Sequence, residues 1–226
     1  MIDLKKQEEI FVAIGERLRK KLECYLIGGS AMMYYGVKAN TKDIDLVFLD
    51  LEDRKLLVEI LEELGYSERS TRLLYARKRD VPLLFEFGES RIDLFTRKII
   101  CFMFTDDIIN RIKKVYEYGN LIVKIVSLED IILLKSATER AGDRADAKAI
   151  LENVDIKWDI VIEESLKQTN IGETVFPVCL YDFLLELKED LKVDIPQDVI
   201  LKIMKIAEKE IIRASKEGKL ITEKKY

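Results

Sequence analysis

Two aspartates separated by a single isoleucine, Asp43-Ile44-Asp45, stand at the head of the apolar stretch Leu46-Val47-Phe48. On an extended strand successive side chains alternate between faces, so Asp43 and Asp45 point one way while Ile44 and Leu46 point the other. Their Cα atoms then lie about 6.6 Å apart, at a rise of roughly 3.3 Å per residue. Two carboxylates at that spacing can converge on a shared cation; without one, the like charges repel and drive one pKa upward. A third aspartate, Asp93, lies between Ile92 and Leu94 in another stretch that reads as strand. Three carboxylates on neighbouring strands make an all-oxygen nest suited to Mg²⁺ or Mn²⁺. Two such ions, roughly 3.5–4 Å apart, form the clamp used for in-line displacement at phosphorus.

Upstream, Gly28-Gly29-Ser30 closes the apolar run Leu22–Ile27. Glycines let a phosphate approach the backbone, and a helix beginning at Ser30 would offer free N–H groups and its positive end. Ser30 suits the N-cap of that helix and could add a hydroxyl donor. A glycine pair by itself is usually a turn, and a DxD by itself is usually solvated. Their joint occurrence points to a site, because an interior strand tolerates charge poorly without a partner.

Gly28-Gly29-Ser30, Asp43-Ile44-Asp45 and the hydrophobic–Asp–hydrophobic triplet at Asp93 together resemble the polymerase-β-type nucleotidyltransferase superfamily. Within it, the stretch is similar to the minimal prokaryotic nucleotidyltransferases and the abortive-infection type IV toxin nucleotidyltransferases. The resemblance covers roughly residues 20–150. It implies metal-dependent transfer of a nucleoside monophosphate from an NTP to an acceptor hydroxyl on RNA, a protein or a small molecule, with two Mg²⁺ or Mn²⁺ ions. A toxin role would add an antitoxin protein as partner; a small-molecule, antibiotic-type enzyme and a nucleotide-binding module of reduced turnover are the alternatives. By position, Gly28, Gly29 and Ser30 would hold the phosphates, and Asp43 and Asp45 would bind the metal ions. Asp93 would complete the metal site and help deprotonate the attacking hydroxyl.

Thr41 opens the TxDxD segment. Relatives frequently carry arginine two positions before that threonine, where this chain has Ala39 preceded by Lys38. Either Lys38 takes over the substrate contact or the contact is absent. Relatives also often carry a lysine in the helix after the core, matched by Lys135, and an Arg/Asp-rich stretch beyond it, matched by Asp143, Arg144 and Asp146. The implied nucleotide-binding set therefore adds Lys38, Thr41 and Lys135 to the glycine turn. For Lys135 the plainer reading is a lysine reaching to solvent from an amphipathic helix. For residues 143–146 it is an ordinary solvated helix start.

Composition narrows the chemistry. The 226 residues contain no histidine, which removes Ser-His-Asp and Cys-His catalysis and histidine-ligated zinc or iron. Cys24, Cys101 and Cys179 are scattered among apolar neighbours, with no CxxC pair, and read as core thiols rather than disulfide or zinc ligands. A net charge of −4 argues against a surface basic all over, though not against a local basic cleft. Arg69, Arg72, Arg77, Lys78 and Arg79 form such a run. It fits a polynucleotide acceptor equally with a charged sheet edge that discourages aggregation. The N-terminus is charged from the start and no apolar run approaches the length of a membrane span, so a cytoplasmic protein is expected.

The elements that must hold these residues follow from periodicity. Ile10, Phe11, Ile14 and Leu18 predict a helix within residues 3–21. Strands are expected at 22–27 and 44–49, with helices at 30–35 and 53–64 ended by Gly36 and Gly65. Residues 72–77, 83–87 and 91–95 read as antiparallel strands, the last two turning at Gly88. A helix over about 106–117 precedes a strand at 121–126, and the pattern is helical from Ser127, broken near Gly142, residues 172–177 and Pro196. Phe85, Phe87, Phe102 and Phe104 read as core. The expected fold is α+β: a small mixed sheet flanked by helices as catalytic core (1–126), followed by a helical C-terminal region (127–226).

Overall fold

The apolar stretches that bracket the three aspartates pair with one another in a mixed sheet. The computed structural model of the chain describes residues 1–70 and 81–217. In chain order the first elements are β1 (Ile2–Asp3), α1 (Leu4–Arg17), β2 (Leu22–Ile27), α2 (Gly28–Tyr34), β3 (Asn40–Thr41) and β4 (Ile44–Phe48). After these come α3 (Leu51–Glu63), β5 (Ser67–Arg69), β6 (Leu83–Phe87), β7 (Ser90–Thr96) and β8 (Lys98–Ile99). Then follow β9 (Phe102–Met103), α4 (Asp106–Arg111), β10 (Lys114–Tyr118) and β11 (Leu121–Ile125). The chain divides into two compact units, one of residues Met1–Ile100 and Phe104–Ser127, the other of Cys101–Met103 with the chain from Leu128 on.

In the first unit the described strands follow the order β10-β11-β2-β4-β7-β6-β5. The pairs β11–β2 and β4–β7 are parallel and the others antiparallel. Strand β2 is central and buried at all positions but Glu23, which explains its apolar run from Cys24 to Ile27. Ile44, Leu46, Ile92 and Leu94 have no exposed surface, so the apolar residues between and beyond the aspartates are core. A separate antiparallel ribbon, β1–β3, pairs Ile2 with Thr41 and fixes the segment leading into β4. Helix α1 is N-capped by Asp3, whose carboxylate accepts from the Lys6 N–H at 2.8 Å, and α3 by Asp50, which accepts from Asp53 N–H at 2.8 Å. Gly65, at φ +88°, ends α3 in the left-handed region, as its position after the periodic stretch predicts.

Several expectations are corrected. Helix α2 begins at Gly28 with Ile27 as N-cap, not at Ser30. The helix expected over 106–117 stops at Arg111; Lys114–Tyr118 instead forms β10, joined to β11 through Gly119-Asn120. Val115, Tyr116 and Tyr118 are β-formers, and Gly119 at φ +61° gives the tight hairpin its left-handed residue. Phe87 is 56% exposed, its ring tilted against that of Tyr66 at 5.6 Å between centres, while Phe85, Phe102 and Phe104 are buried. The strand expected at 72–77 lies outside the described residues.

The second unit carries α5 (Leu128–Ser136), α6 (Ala141–Asn153), α7 (Trp158–Ile171), α8 (Phe176–Glu189) and α9 (Gln197–Lys216). Gly142 lies inside the first turn of α6 rather than at a break. Gly172 ends α7, Pro177 sits in the first turn of α8 where its missing N–H has no intrahelical role, and Pro196 precedes α9. Leu133, Phe176, Phe183, Leu184 and Ile203 are fully buried and form this unit's core. Cys24 and Cys179 are buried and Cys101 half-buried, and none of the three is in a disulfide. Among the described residues no helix is long and apolar enough to cross a membrane.

Candidate active site

The paired glycines are explained by what packs on them. Gly28 has φ +63°, and a Cβ placed on it would meet the Asp45 Oδ2 at 2.6 Å. A Cβ on Gly29 would meet the Thr41 Oγ1 at 2.9 Å and the Lys38 Nζ at 3.0 Å. A carboxylate, a hydroxyl and an ammonium therefore gather over one bare stretch of backbone. Thr41 is brought there by the β1–β3 ribbon, and Asp45 by the antiparallel pairing of β2 with β4, which sets Ile27 opposite Asp45. Ser30 turns inward: its hydroxyl donates to the Ile27 carbonyl at 2.8 Å and accepts from the Asp45 N–H at 3.3 Å. It is completely buried, and the Gln7 side-chain amide donates to its carbonyl at 3.3 Å. Ser30 thus ties the turn to the DxD strand. Since α2 has only seven residues, the charge at this seat comes from Lys38 rather than from a long helix.

Across the parallel β4–β7 pair, Asp45 stands in register with Asp93. Arg91, two residues before Asp93 on the same strand, holds it with both ends of its guanidinium: Nε donates to Oδ1 at 2.7 Å and Nη2 to Oδ2 at 2.5 Å. Its Nη1 lies 4.0 Å from Asp43 Oδ2. The Asp93 side chain is 4% exposed, whereas those of Arg91 and Asp43 are 30% and 32% exposed. Burial works against the charge of Arg91, yet Asp93, then Asp43 and Asp45, more than offset it and raise the guanidinium pKa above its ordinary value. Arg91 is absent from the motif reading above. Its signal was nonetheless present, because Arg91-Ile92-Asp93 has the same every-other-residue spacing as Asp43-Ile44-Asp45.

The carboxylates suit a hard divalent ion in donor type, and the Gly28 backbone leaves room for one of them that any side chain would fill. As they stand, no three acidic or cysteine side chains among the described residues gather into a metal-binding group. The cation between Asp43 and Asp93 is the guanidinium.

A family described as "Nucleotidyltransferase of unknown function (DUF6036)" matches residues 6–173, which take in the glycine turn and all three aspartates. The chain belongs to this nucleotidyltransferase family. No curated protein matches it. Among solved structures it is similar to ANT(2″)-Ia in complex with adenylyl-2″-tobramycin, at 21% identity and a TM-score of 0.39, over 80% of this chain and 96% of that one. So distant a likeness transfers no residue assignment.

The family span of the nucleotidyltransferase also includes Lys135 and the Asp143–Asp146 stretch, which lie in the helical unit. Lys135 does not reach to solvent: it is 5% exposed, and its ammonium donates to Asp143 and Asp146, each at 2.7 Å. The Thr138 hydroxyl donates to the other Asp143 oxygen at 2.5 Å. Arg144 pairs with Glu186 at 2.7 Å, donates to the Thr138 carbonyl and lies 5.1 Å from the Phe183 ring centre. Burial pushes Lys135 down, but Asp143 and Asp146 outweigh it and raise its pKa. Burial likewise pushes Asp143 up, and Lys135 with Thr138 holds it below its ordinary value. Of the nucleotidyltransferase's basic run, Arg69 stands on β5 and pairs with Glu86 at 2.8 Å. Arg72, Arg77, Lys78 and Arg79 lie outside the described residues.

Proposed function

We propose that this nucleotidyltransferase moves a nucleoside monophosphate from an NTP to an acceptor hydroxyl, using the glycine turn, Asp43 just before β4, Asp45 on β4 and Asp93 on β7 as its site. The observation that carries the reading is the approach of Lys38 Nζ and Thr41 Oγ1 to Gly29, beside an Asp45 carboxylate packed on Gly28. An ammonium and a hydroxyl beside a glycine that carries no side chain suit the oxygens of a triphosphate. Lys38 thereby supplies the positive charge that an arginine two positions before Thr41 would otherwise bring.

Asp43, Asp45 and Asp93 are the residues that would hold Mg²⁺ or Mn²⁺, which neutralises triphosphate charge and polarises the α-phosphoryl group. The acceptor oxygen attacks the α-phosphorus, the bond from that phosphorus to the bridging oxygen breaks, and pyrophosphate leaves. Asp93 takes the proton of the acceptor hydroxyl. Ser30 keeps Asp45 in line with the turn by accepting its backbone N–H, so the carboxylate and the phosphate seat move as one body.

The test is incubation with each labelled NTP, Mg²⁺ or Mn²⁺, and pools of RNA, protein and small molecules. Transfer of label to one pool identifies the acceptor, and Asp45→Asn should reduce it by about a hundredfold or more. Label on no acceptor, or label undiminished in Asp45→Asn, refutes the reading. A co-expressed neighbouring protein that suppresses labelling would be the antitoxin implied by the toxin resemblance.

A further inference from the structure

We propose that Arg91 is the resident counter-ion of the carboxylate site, and that a divalent cation enters by displacing its guanidinium from Asp93 and Asp43. This rests on the reading that Asp43, Asp45 and Asp93 bind the metal.

Asp93 is nearly sealed from water, and a buried carboxylate without a partner is strongly unfavourable. In the metal-free protein Arg91 meets that need, gripping both Asp93 oxygens in a bidentate fork and reaching toward Asp43. Aspartate and arginine differ in freedom. Asp93 hangs on a short side chain from a strand paired on both sides, by β4 and β6, whereas Arg91 has a long side chain with nearly a third of its surface in water. Arginine stays protonated across the accessible pH range, so its charge cannot be switched off and has to be moved. A divalent ion held by the same carboxylates would face the guanidinium at a few ångströms, where like charges repel strongly at low dielectric. The bidentate fork also occupies the oxygen directions that an incoming cation needs. Arg91 therefore stabilises the empty site and lowers its affinity for metal through the same contacts.

The experiment is a Mn²⁺ titration followed by electron paramagnetic resonance, without nucleotide, on the wild type, Arg91→Gln and Arg91→Lys. Thermal melts with and without Mn²⁺ accompany it. Arg91→Gln should bind Mn²⁺ about tenfold more tightly or better, the equivalent of one charge-assisted hydrogen bond no longer broken on entry. Arg91→Lys, which keeps the charge but not the fork, should fall between the two. Arg91→Gln should melt below the wild type without Mn²⁺ and regain more on its addition. If Arg91→Gln folds only with Mn²⁺, the metal has taken over the role of the guanidinium and the proposal stands; if it folds in neither condition, Arg91→Lys decides. Variants that bind Mn²⁺ no more tightly than the wild type overturn the counter-ion role while leaving the metal reading intact. Absence of Mn²⁺ binding in the wild type and in the variants alike overturns the metal reading beneath it.

Discussion

Gly28 can be made to report on the site separately from the fold. In Gly28→Ala the new side chain faces two obstacles. The backbone is at φ +63°, where a Cβ costs about 1–2 kcal/mol. The Cβ would also lie 2.6 Å from the Asp45 Oδ2, so the carboxylate has to move. Gly36 isolates the first effect: it has φ +73° with nothing within 4 Å of an added Cβ. Gly36→Ala should therefore lose about 1–2 kcal/mol in urea denaturation, a melting shift of roughly 2–8 °C for a chain of this size, and Gly28→Ala at least as much. Only Gly28→Ala should lose turnover, by about a hundredfold for a carboxylate displaced on the order of 1 Å. The assay is the initial rate of labelled nucleotide transfer at saturating NTP and Mn²⁺. A Gly28→Ala enzyme that turns over like Gly36→Ala would show that the Asp45 position against the turn is immaterial to the chemistry.

If Lys38 binds the triphosphate as proposed, Lys38→Met should raise KM for the NTP by about tenfold while leaving kcat nearly unchanged, since the ammonium would not touch the reacting bond; steady-state kinetics separates the two. The Lys135–Asp143 pair makes the helical unit acid-sensitive. Asp143 has a folded pKa below its unfolded value, so its contribution is complete above the unfolded carboxylate pKa of about 3.9 and is lost as pH falls through the lower folded value. Lys135 has a raised folded pKa, so the alkaline loss comes only as pH climbs beyond about 10.4 through that higher value. Denaturation between pH 2 and 6 should show an acid slope that shrinks in Asp143→Asn. Gly15→Ala should cost about 3 kcal/mol or more in urea, because its Cβ would fall 1.6 Å from the Tyr118 carbonyl oxygen and only backbone can yield. Wild-type stability in that variant would mean that α1 is not held against the hairpin after β10.

Much of the first unit was legible because its strands declare themselves locally. Leu22–Ile27 is apolar at every position but Glu23 because it is largely covered on both faces, and Asp43-Ile44-Asp45 alternates because one set of side chains is core. What stayed hidden depends on partners far along the chain. Lys114–Tyr118 follows a helical turn without a break and becomes a strand only by pairing with Leu121–Ile125, a tertiary demand that overrides local pattern. Ser30 reads as a cap and phosphate donor because the sequence cannot say that the Asp45 N–H will sit over its hydroxyl. Arg91 stays hidden for a similar reason. Its spacing to Asp93 was visible, but the register that brings Asp43 within reach is a property of the parallel pairing of β4 and β7.

That pairing gives the site a built-in order of assembly. Gly28, Gly29, Lys38, Thr41 and Asp45 lie within one short stretch of chain, so the proposed phosphate seat closes mostly through small loops. Asp93 reaches Asp45 only after the intervening α3, β5 and β6 have been brought round, and contacts of larger sequence separation form more slowly. The refolding chain should pass through a stage with the seat made and the third carboxylate missing, visible in pulse-labelled hydrogen exchange as protection of β2 and β4 amides before those of β7. Arg91 arrives on the same strand as Asp93, so the aspartate comes to the site with its counter-charge already beside it.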